Sequence, residues 1–274
     1  MEHYQNSAAW KIALKRIQTA YETGSEKLDL SNLRLRSIPK EVSCLAGQLK
    51  ALDIRNCTGL FNITHIADLT HLTELSLREN RQLSDLSPLL NLKLLITLDL
   101  SWCDALSDIS ILKNLPLLQK LDLSGCDSLI NLSALEKLSQ LQKLDFSASS
   151  ALSDLSMLKN LHLLQQLDLS ECEVLSDLSG LKNLHQLQQL NLAGCDALND
   201  LSGLNNLSQL QQLDLCMCSA LSDLSILKNL HLLQQLNLSR CDALNDLSEL
   251  NNLTQLQELD LSWCKALSDL SGLN

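Results

Sequence analysis

What this chain lacks narrows its chemistry before any motif is considered. Aromatic residues are 3% of the sequence and there are only 3 prolines and 8 glycines, so an aliphatic core is expected and no Gly/Pro-rich linker divides the chain. No apolar run approaches the roughly 20 residues that a membrane-spanning helix needs, so none is expected. The segment Met1 to Gln18 has no basic stretch followed by an apolar one, which is the pattern of a secretory leader. No CxxC is matched by a second CxxC or by histidines at zinc spacing; Cys216-Met217-Cys218 is an isolated CxC, and neither a metal nor a cofactor is expected.

What is present is a period. Leu52, Leu75, Leu98, Leu121, Leu144, Leu167, Leu190, Leu213, Leu236 and Leu259 are 23 residues apart, and the residues around them follow LxxLxLSxCxxLxDLSxLxxLxx. Repeats of this length are the units of solenoids, in which each unit buries its apolar face only against its neighbours. In Lys120-Leu121-Asp122-Leu123-Ser124 the leucines alternate, which predicts a short strand with Lys120, Asp122 and Ser124 outward. Leu129, Leu132, Leu135 and Leu138 are three apart, which suits helical or 3₁₀ turns on the opposite side. Serines at 87, 110, 133, 156, 179, 202, 225, 248 and 271 are placed to act as N-caps of those turns, with Pro88 in the first helical position. Together these predict a right-handed arc of parallel strands on a concave face, with short turns on the convex one.

These residues resemble the leucine-rich repeat family. Leu83-Ser84-Asp85-Leu86-Ser87-Pro88-Leu89 is similar to the short repeats of bacterial internalins, with one extra residue per unit and cysteine where those repeats carry asparagine, as in the cysteine-containing repeat class. The stretch from Leu28 to Pro39, after a helix bearing Ala13, Ile17 and Ala20, resembles the opening of the repeat region of bacterial Roco proteins. No GxxxxGK[ST] loop accompanies it, so the GTPase of that family is not expected here. The resemblance spans about residues 25–274 and implies a fold and a binding role rather than a particular task.

Two domains are predicted. Residues 1–24 form an amphipathic helix, with Trp10, Ala13, Leu14, Ile17 and Tyr21 at helical spacing, Asn6 or Ser7 as its cap and Gly24 as its stop. Its expected task is to cover the first repeat; Lys11, Lys15 and Arg16 are thin support for a membrane-surface role. Residues 25–274 form an array of about eleven units with no evident C-terminal cap. The strand around Leu259 would leave an open sheet edge. Either the array is cut from a longer one, or another molecule, a second copy included, covers this end, or the exposed end is simply tolerated.

Eight cysteines (Cys57, Cys103, Cys126, Cys172, Cys195, Cys218, Cys241 and Cys264) share one repeat position, where Asn80 and Ser149 replace them in two units. A buried, reduced, structural ladder in a cytoplasmic protein is expected. The middle outward position of the strands is acidic at Asp99, Asp122, Asp145, Asp168, Asp214 and Asp260, in a chain of net charge −11. Parallel strands lie about 4.8 Å apart, so such a row carries negative potential. It favours a protein or peptide with a basic surface and disfavours nucleic acid. The position before the ladder cysteine varies freely; Met217, Arg240 and Trp263 follow one another there and Trp102 stands apart, all residue types common in interface cores. His162, His185 and His231 share a loop position without a nucleophile beside them, so catalysis is not expected. The expected function is a non-enzymatic protein-binding scaffold. The alternatives are a recognition segment of a larger signalling protein or an effector delivered into another cell.

Overall fold

The computed structural model describes residues 7–268, and Ser271 and Asn274 lie outside that range. The chain divides into two units, one ending at Leu141 and the other starting at Gln142. The first opens with helix α1 (Ala8–Thr23), capped by Ser7, whose hydroxyl accepts from the Trp10 amide at 3.2 Å. It stops at Gly24, which takes the left-handed conformation (φ 65°) that ends helices without a Cβ penalty. Trp10, Ala13, Ile17 and Ala20 are buried; Tyr21, expected on that face, is exposed. Strands β1 (Lys27–Asp29), β2 (Ala51–Asp53), β3 (Glu74–Ser76), β4 (Thr97–Asp99) and β5 (Lys120–Asp122) follow in parallel, each paired with the next. In the second unit β6 (Lys143–Asp145), β7 (Gln166–Asp168), β8 (Gln189–Asn191), β9 (Gln212–Asp214), β10 (Gln235–Asn237) and β11 (Glu258–Asp260) pair in the same manner.

Register within each unit is repeat on repeat. Leu52 faces Leu75 and Leu75 faces Leu98, while Leu190 faces Leu213 and Leu213 faces Leu236. The ladder outruns the three-residue strands: the Leu77 and Glu79 amides donate to the carbonyls of Asp99 and Ser101, at 2.8 Å each. The core is almost wholly leucine, with Phe146 in the place held by Leu123 and Leu169 in other repeats. Opposite the strands lie 3₁₀ turns, the expected consequence of apolar residues three apart.

The turns correct the expectation that serine caps them. The serines are the first helical residues, and the cap positions are held by Leu86, Ile109, Leu155, Leu201 and their counterparts, which offer no side-chain oxygen. The acceptor is the carboxylate two residues before the serine. Asp85, Asp108, Asp154 and Asp200 each take the serine amide on Oδ1 at 2.7 or 2.8 Å, an Asx turn. A short carboxylate reaches the amide two residues on while the intervening leucine stays in the core. Pro88 is accordingly the second residue of its turn.

Turn length varies along this side. In the first unit the turns at Ser87–Asn91, Ser110–Asn114 and Ser133–Lys137 are five residues long; in the second, Ser156–Leu158, Ser179–Leu181 and Ser202–Leu204 are three, and Ser225–Asn229 and Ser248–Asn252 are five again. Gly180 and Gly203 follow their serines there, and a Cβ on either would lie 2.3 Å from the carbonyl oxygen of Leu155 or Leu178 in the preceding repeat. Backbone therefore passes directly over backbone at these turns.

Candidate binding surface

The acidic row is built into the chain's turns. On leaving each strand the backbone reverses through a four-residue turn, such as Leu100 to Cys103, closed by the Cys103 amide on the Leu100 carbonyl at 3.3 Å. The second residue of that turn has an amide pointing back toward the strand's last side chain. Asp99 accepts it from Ser101 at 3.0 Å, Asp122 from Ser124 at 2.9 Å, Asp145 from Ser147 at 2.8 Å and Asp168 from Ser170 at 2.9 Å. Asp214 takes the Cys216 amide and Asp260 the Ser262 amide, both at 2.8 Å. The hydrogen bonds from Ser262 hold the Asp260 carboxyl below its ordinary range, and those from Ser179 and Ser225 do the same for Asp177 and Asp223. A depressed folded-state value means that these caps act fully above the usual carboxylate range and fail as pH falls through the lowered one.

The second oxygen of these carboxylates is handled differently in the two units. In the first, Arg55 pairs with Asp53 Oδ2 at 3.0 Å and the Ser76 hydroxyl donates to Asp99 Oδ2 at 3.0 Å, while Arg16 lies 3.7 Å from Asp29 Oδ1, the oxygen that also takes the Ser31 amide. In the second, Asn191 donates to Asp168 Oδ2 at 3.0 Å and Asn237 to Asp214 Oδ2 at 3.2 Å. Carboxylate and amide thus alternate from β7 to β11. The sequence marks Arg55 and Arg78 as a locally basic part of this face, without showing which carboxylate each meets. Asn191 and Asn237 were visible in it as interruptions of the acidic row.

The position before the ladder cysteine has a constraint that free variation conceals. Asn56, Glu79, Trp102, Ala148, Glu171, Met217, Arg240 and Trp263 all have positive φ, between 51° and 62°, and Gly125 and Gly194 stand at the same place with 64° and 72°. It is the third residue of the turn, where a type II geometry demands the left-handed region. Glycine and asparagine at this position were the readable signal. Large side chains there carry conformational strain of about 1 kcal/mol or more each.

Trp102 lies across its neighbour: a Cβ on Gly125 would come within 2.6 Å of the indole. Asn56 donates to Asn32 at 3.0 Å, and Glu79 pairs with Arg78 at 2.9 Å. Met217, Arg240 and Trp263 are exposed, Trp263 at 75%. The amides of Met217 and Arg240 are tied to the Ser239 and Ser262 carbonyls at 2.9 and 2.8 Å, so their backbone is fixed while the side chains face out.

The thiols form an interior rung. Cys57, Cys126, Cys218 and Cys241 each place Sγ 3.2 Å from a leucine carbonyl of the preceding repeat, with Cys103 at 3.4, Cys172 at 3.5, Cys195 at 3.3 and Cys264 at 3.1 Å from their own acceptors. Burial pushes Cys57, Cys126 and Cys172 up to about 11 and Cys195 and Cys241 up to about 12. Asn80 makes a fuller rung, donating to the Ile54 and Leu77 carbonyls at 3.0 and 2.7 Å and accepting from the Cys57 amide at 3.1 Å. His162 and His185 each direct Nδ1 at an asparagine carbonyl of the next repeat, at 3.5 and 3.4 Å. Among the described residues no group of His, Cys, Asp and Glu could hold a metal ion, and no helix is long and apolar enough to cross a membrane.

Charge separates the units most clearly. Residues 1–141 contain 15 Lys and Arg against 16 Asp and Glu, a net of −1; residues 142–274 contain 6 against 16, a net of −10. The acidity of the whole chain therefore belongs to its second unit.

Parallel strands stacked in register, 3₁₀ turns opposite them and an interior rung of thiols define leucine-rich repeat solenoid architecture. The chain belongs to the BspA-type leucine-rich repeat family, which matches residues 99–215 and 153–268 in six copies. No curated protein sequence matches it. Among solved structures, the internalin inlF of Listeria monocytogenes is similar over 97% of this chain and 92% of its own, with a TM-score of 0.69 at 24% identity. A chain of the mouse RP105/MD-1 complex is similar over 90% of this chain and 49% of its own, with a TM-score of 0.67 at 24% identity. A chain of the TLR13–ssRNA13 complex gives 0.62 at 21% identity, over 87% and 40%. At these identities the likeness is one of fold.

Proposed function

We propose that the chain is a non-enzymatic protein-binding scaffold that engages a basic protein or peptide on the strand face of its second unit. The observation that carries this reading is the net charge of −10 confined to residues 142–274, with Asp145, Asp168, Asp214 and Asp260 in one outward row. Desolvating acidic groups against lysine or arginine steers association and selects partners by charge. Nucleic acid, itself anionic, is disfavoured on this face. The family match supports a binding role, and the reduced thiols suit a reducing, cytoplasmic compartment.

The test exploits what the chain already does at Asn191 and Asn237, where an amide oxygen caps the turn at 3.0 Å without charge. A triple variant, Asp168→Asn, Asp214→Asn and Asp260→Asn, removes three charges and leaves each capping oxygen in place. The oxygens of Asp168 and Asp214 that accept from Asn191 and Asn237 become amide donors, so circular dichroism must first show an unchanged fold. Random dodecapeptides displayed on phage and selected on the intact chain are expected to be rich in lysine and arginine. Their affinity should fall by about tenfold on the triple variant and further with salt. Selected peptides with no charge bias, or equal affinity for the variant, would overturn the proposal.

Self-association is a second reading. Leu256, Leu259, Cys264 and Leu267 in the last described repeat are only half-buried, whereas Leu236, Cys241 and Leu244 one repeat earlier are buried. Light scattering on the intact chain and on Leu259→Lys, with circular dichroism as the folding control and Trp263→Ala as the milder variant, should show a dimer that dissociates. A monomer throughout would end this reading.

A further inference from the structure

The strained row before the ladder cysteines is occupied in the first unit by side chains that satisfy one another. Asn56 bonds Asn32, Glu79 pairs with Arg78, and Trp102 covers Gly125. In the second unit the same row ends in Met217, Arg240 and Trp263, in three successive repeats, and all three are exposed. Glycine would relieve the left-handed backbone at each, as Gly194 does one repeat before. Bulky side chains stand there instead, at φ of 62°, 59° and 62°.

Arg240 is the only arginine of residues 142–274. Six cations face sixteen carboxylates in this unit, yet among the described residues Arg240 makes no ion pair and no side-chain hydrogen bond. Lys265, one repeat on, does reach a carboxylate, Asp242, at 2.8 Å. Carboxylates flank the stripe on either side: Asp214, Glu258 and Asp260 on the strands, Asp196 and Asp242 just after the ladder cysteines. An unpaired guanidinium therefore sits between two apolar side chains, inside an acidic surround. Adjacent strands place the three about 4.8 Å apart, a stripe roughly 10 Å long.

We propose that this stripe reads a carboxylate set between bulky apolar side chains within an otherwise basic segment of the partner. Arg240 pairs the Asp or Glu with its planar fork, Met217 and Trp263 cover the apolar neighbours, and the surrounding carboxylates take the flanking lysines or arginines. The backbone strain is consistent with side chains kept for contact rather than for folding. Because the backbone of Met217 and Arg240 is already held by the Ser239 and Ser262 carbonyls, binding there has only the side chains left to order. The inference rests on the protein-binding reading above and adds the chemistry of its central contact.

The same displayed dodecapeptides provide the test. Selected sequences should carry one Asp or Glu beside Phe, Trp, Leu or Met, with Lys or Arg around it. Arg240→Glu is a safe variant, because Glu79 and Glu171 occupy this position at φ 59° in other repeats. It should weaken a selected peptide by about tenfold or more, and exchanging the peptide's carboxylate for lysine should restore binding to that variant. Met217→Gly and Trp263→Gly should weaken binding without lowering Tm, a combination that a purely structural role would not produce. Peptides lacking a carboxylate, or binding Arg240→Glu as well as the parent, would overturn the stripe. If those peptides still lose affinity on the Asp→Asn triple variant, the strand-face reading survives alone. Selection of no peptide at all would overturn both.

Discussion

The two units repeat one sentence with different punctuation. Both place a carboxylate or amide oxygen at the end of every strand but β3, which ends in Ser76, because the turn that follows presents an amide there. The first unit offsets the resulting charge with cations, Arg16 and Arg55, and arrives at a net of −1. The second inserts Asn191 and Asn237 between carboxylates and remains at −10. Acidity along the row is thus a by-product of folding in both units, and the second has only six cations against sixteen carboxylates to offset it. The row before the cysteines repeats the lesson: closed on itself in the first unit, open at Met217, Arg240 and Trp263 in the second.

The comparison is broken most forcefully at the rungs. In the first unit Asn80 satisfies three backbone groups, whereas the cysteine rungs of the second offer one weak thiol donor each. Asn80→Ala would orphan the Cys57 amide and the Ile54 and Leu77 carbonyls, at about 1–3 kcal/mol per buried group before water enters. A loss of roughly 4 kcal/mol in the first unit is expected. Cys218→Ala should cost about 1–2 kcal/mol. Amide hydrogen exchange on each variant resolves the two units separately; equal losses would mean that the asparagine rung is no stronger than the thiol one.

Next in size is the turn side of the second unit. Gly203→Ala places a Cβ 2.3 Å from the Leu178 carbonyl oxygen, and only backbone movement can relieve that contact. About 2–3 kcal/mol is expected, in line with overpacked sites generally. In the first unit Ala134 already occupies the corresponding position, so Ala134→Gly should move stability by no more than about 1 kcal/mol. Chemical denaturation of both variants checks the pair, and a tolerated Gly203→Ala would mean that the short turns are not held by close backbone passage.

Much of this was legible in the residues. The leucine period located the strands and turns, because a side chain that must meet its counterpart in the next repeat leaves little freedom in spacing. The buried cysteines were likewise readable from their shared register. What escaped were bonds made by short polar side chains to backbone two residues away. Asp85 to Ser87 and Asp99 to Ser101 write the same D-x-S spelling, which does not say whether the serine or the carboxylate is the cap. The left-handed backbone at Met217, Arg240 and Trp263 was hidden because residue identity there follows exposure rather than conformation; only Gly125, Gly194, Asn32 and Asn56 betrayed it. Which cations neutralise which carboxylates depends on contacts across neighbouring repeats, and no single-repeat pattern carries that information.

The smallest expected effect isolates charge from geometry. Asn237→Asp keeps the oxygen that accepts from Ser239 at 3.0 Å and loses the amide that donates to Asp214. It would create an unbroken run of three carboxylates, the introduced one lying between Asp214 and Asp260 on strands paired in register. At about 4.8 Å spacing each neighbour repels by roughly 0.9 kcal/mol even in bulk water. The expected destabilisation is therefore about 1–2 kcal/mol at low salt, and most of it should vanish near molar salt, where the screening length falls to about 3 Å. In the first unit, Ser76→Asp extends a carboxylate run in the same way beside Arg55 and Arg78, and the nearby cations should cut the loss to a few tenths of a kcal/mol. Thermal melts of both variants across a salt series decide the matter. A penalty at Asn237→Asp that salt does not reduce would show that the amide's hydrogen bond, not charge alternation, is what the second unit preserves.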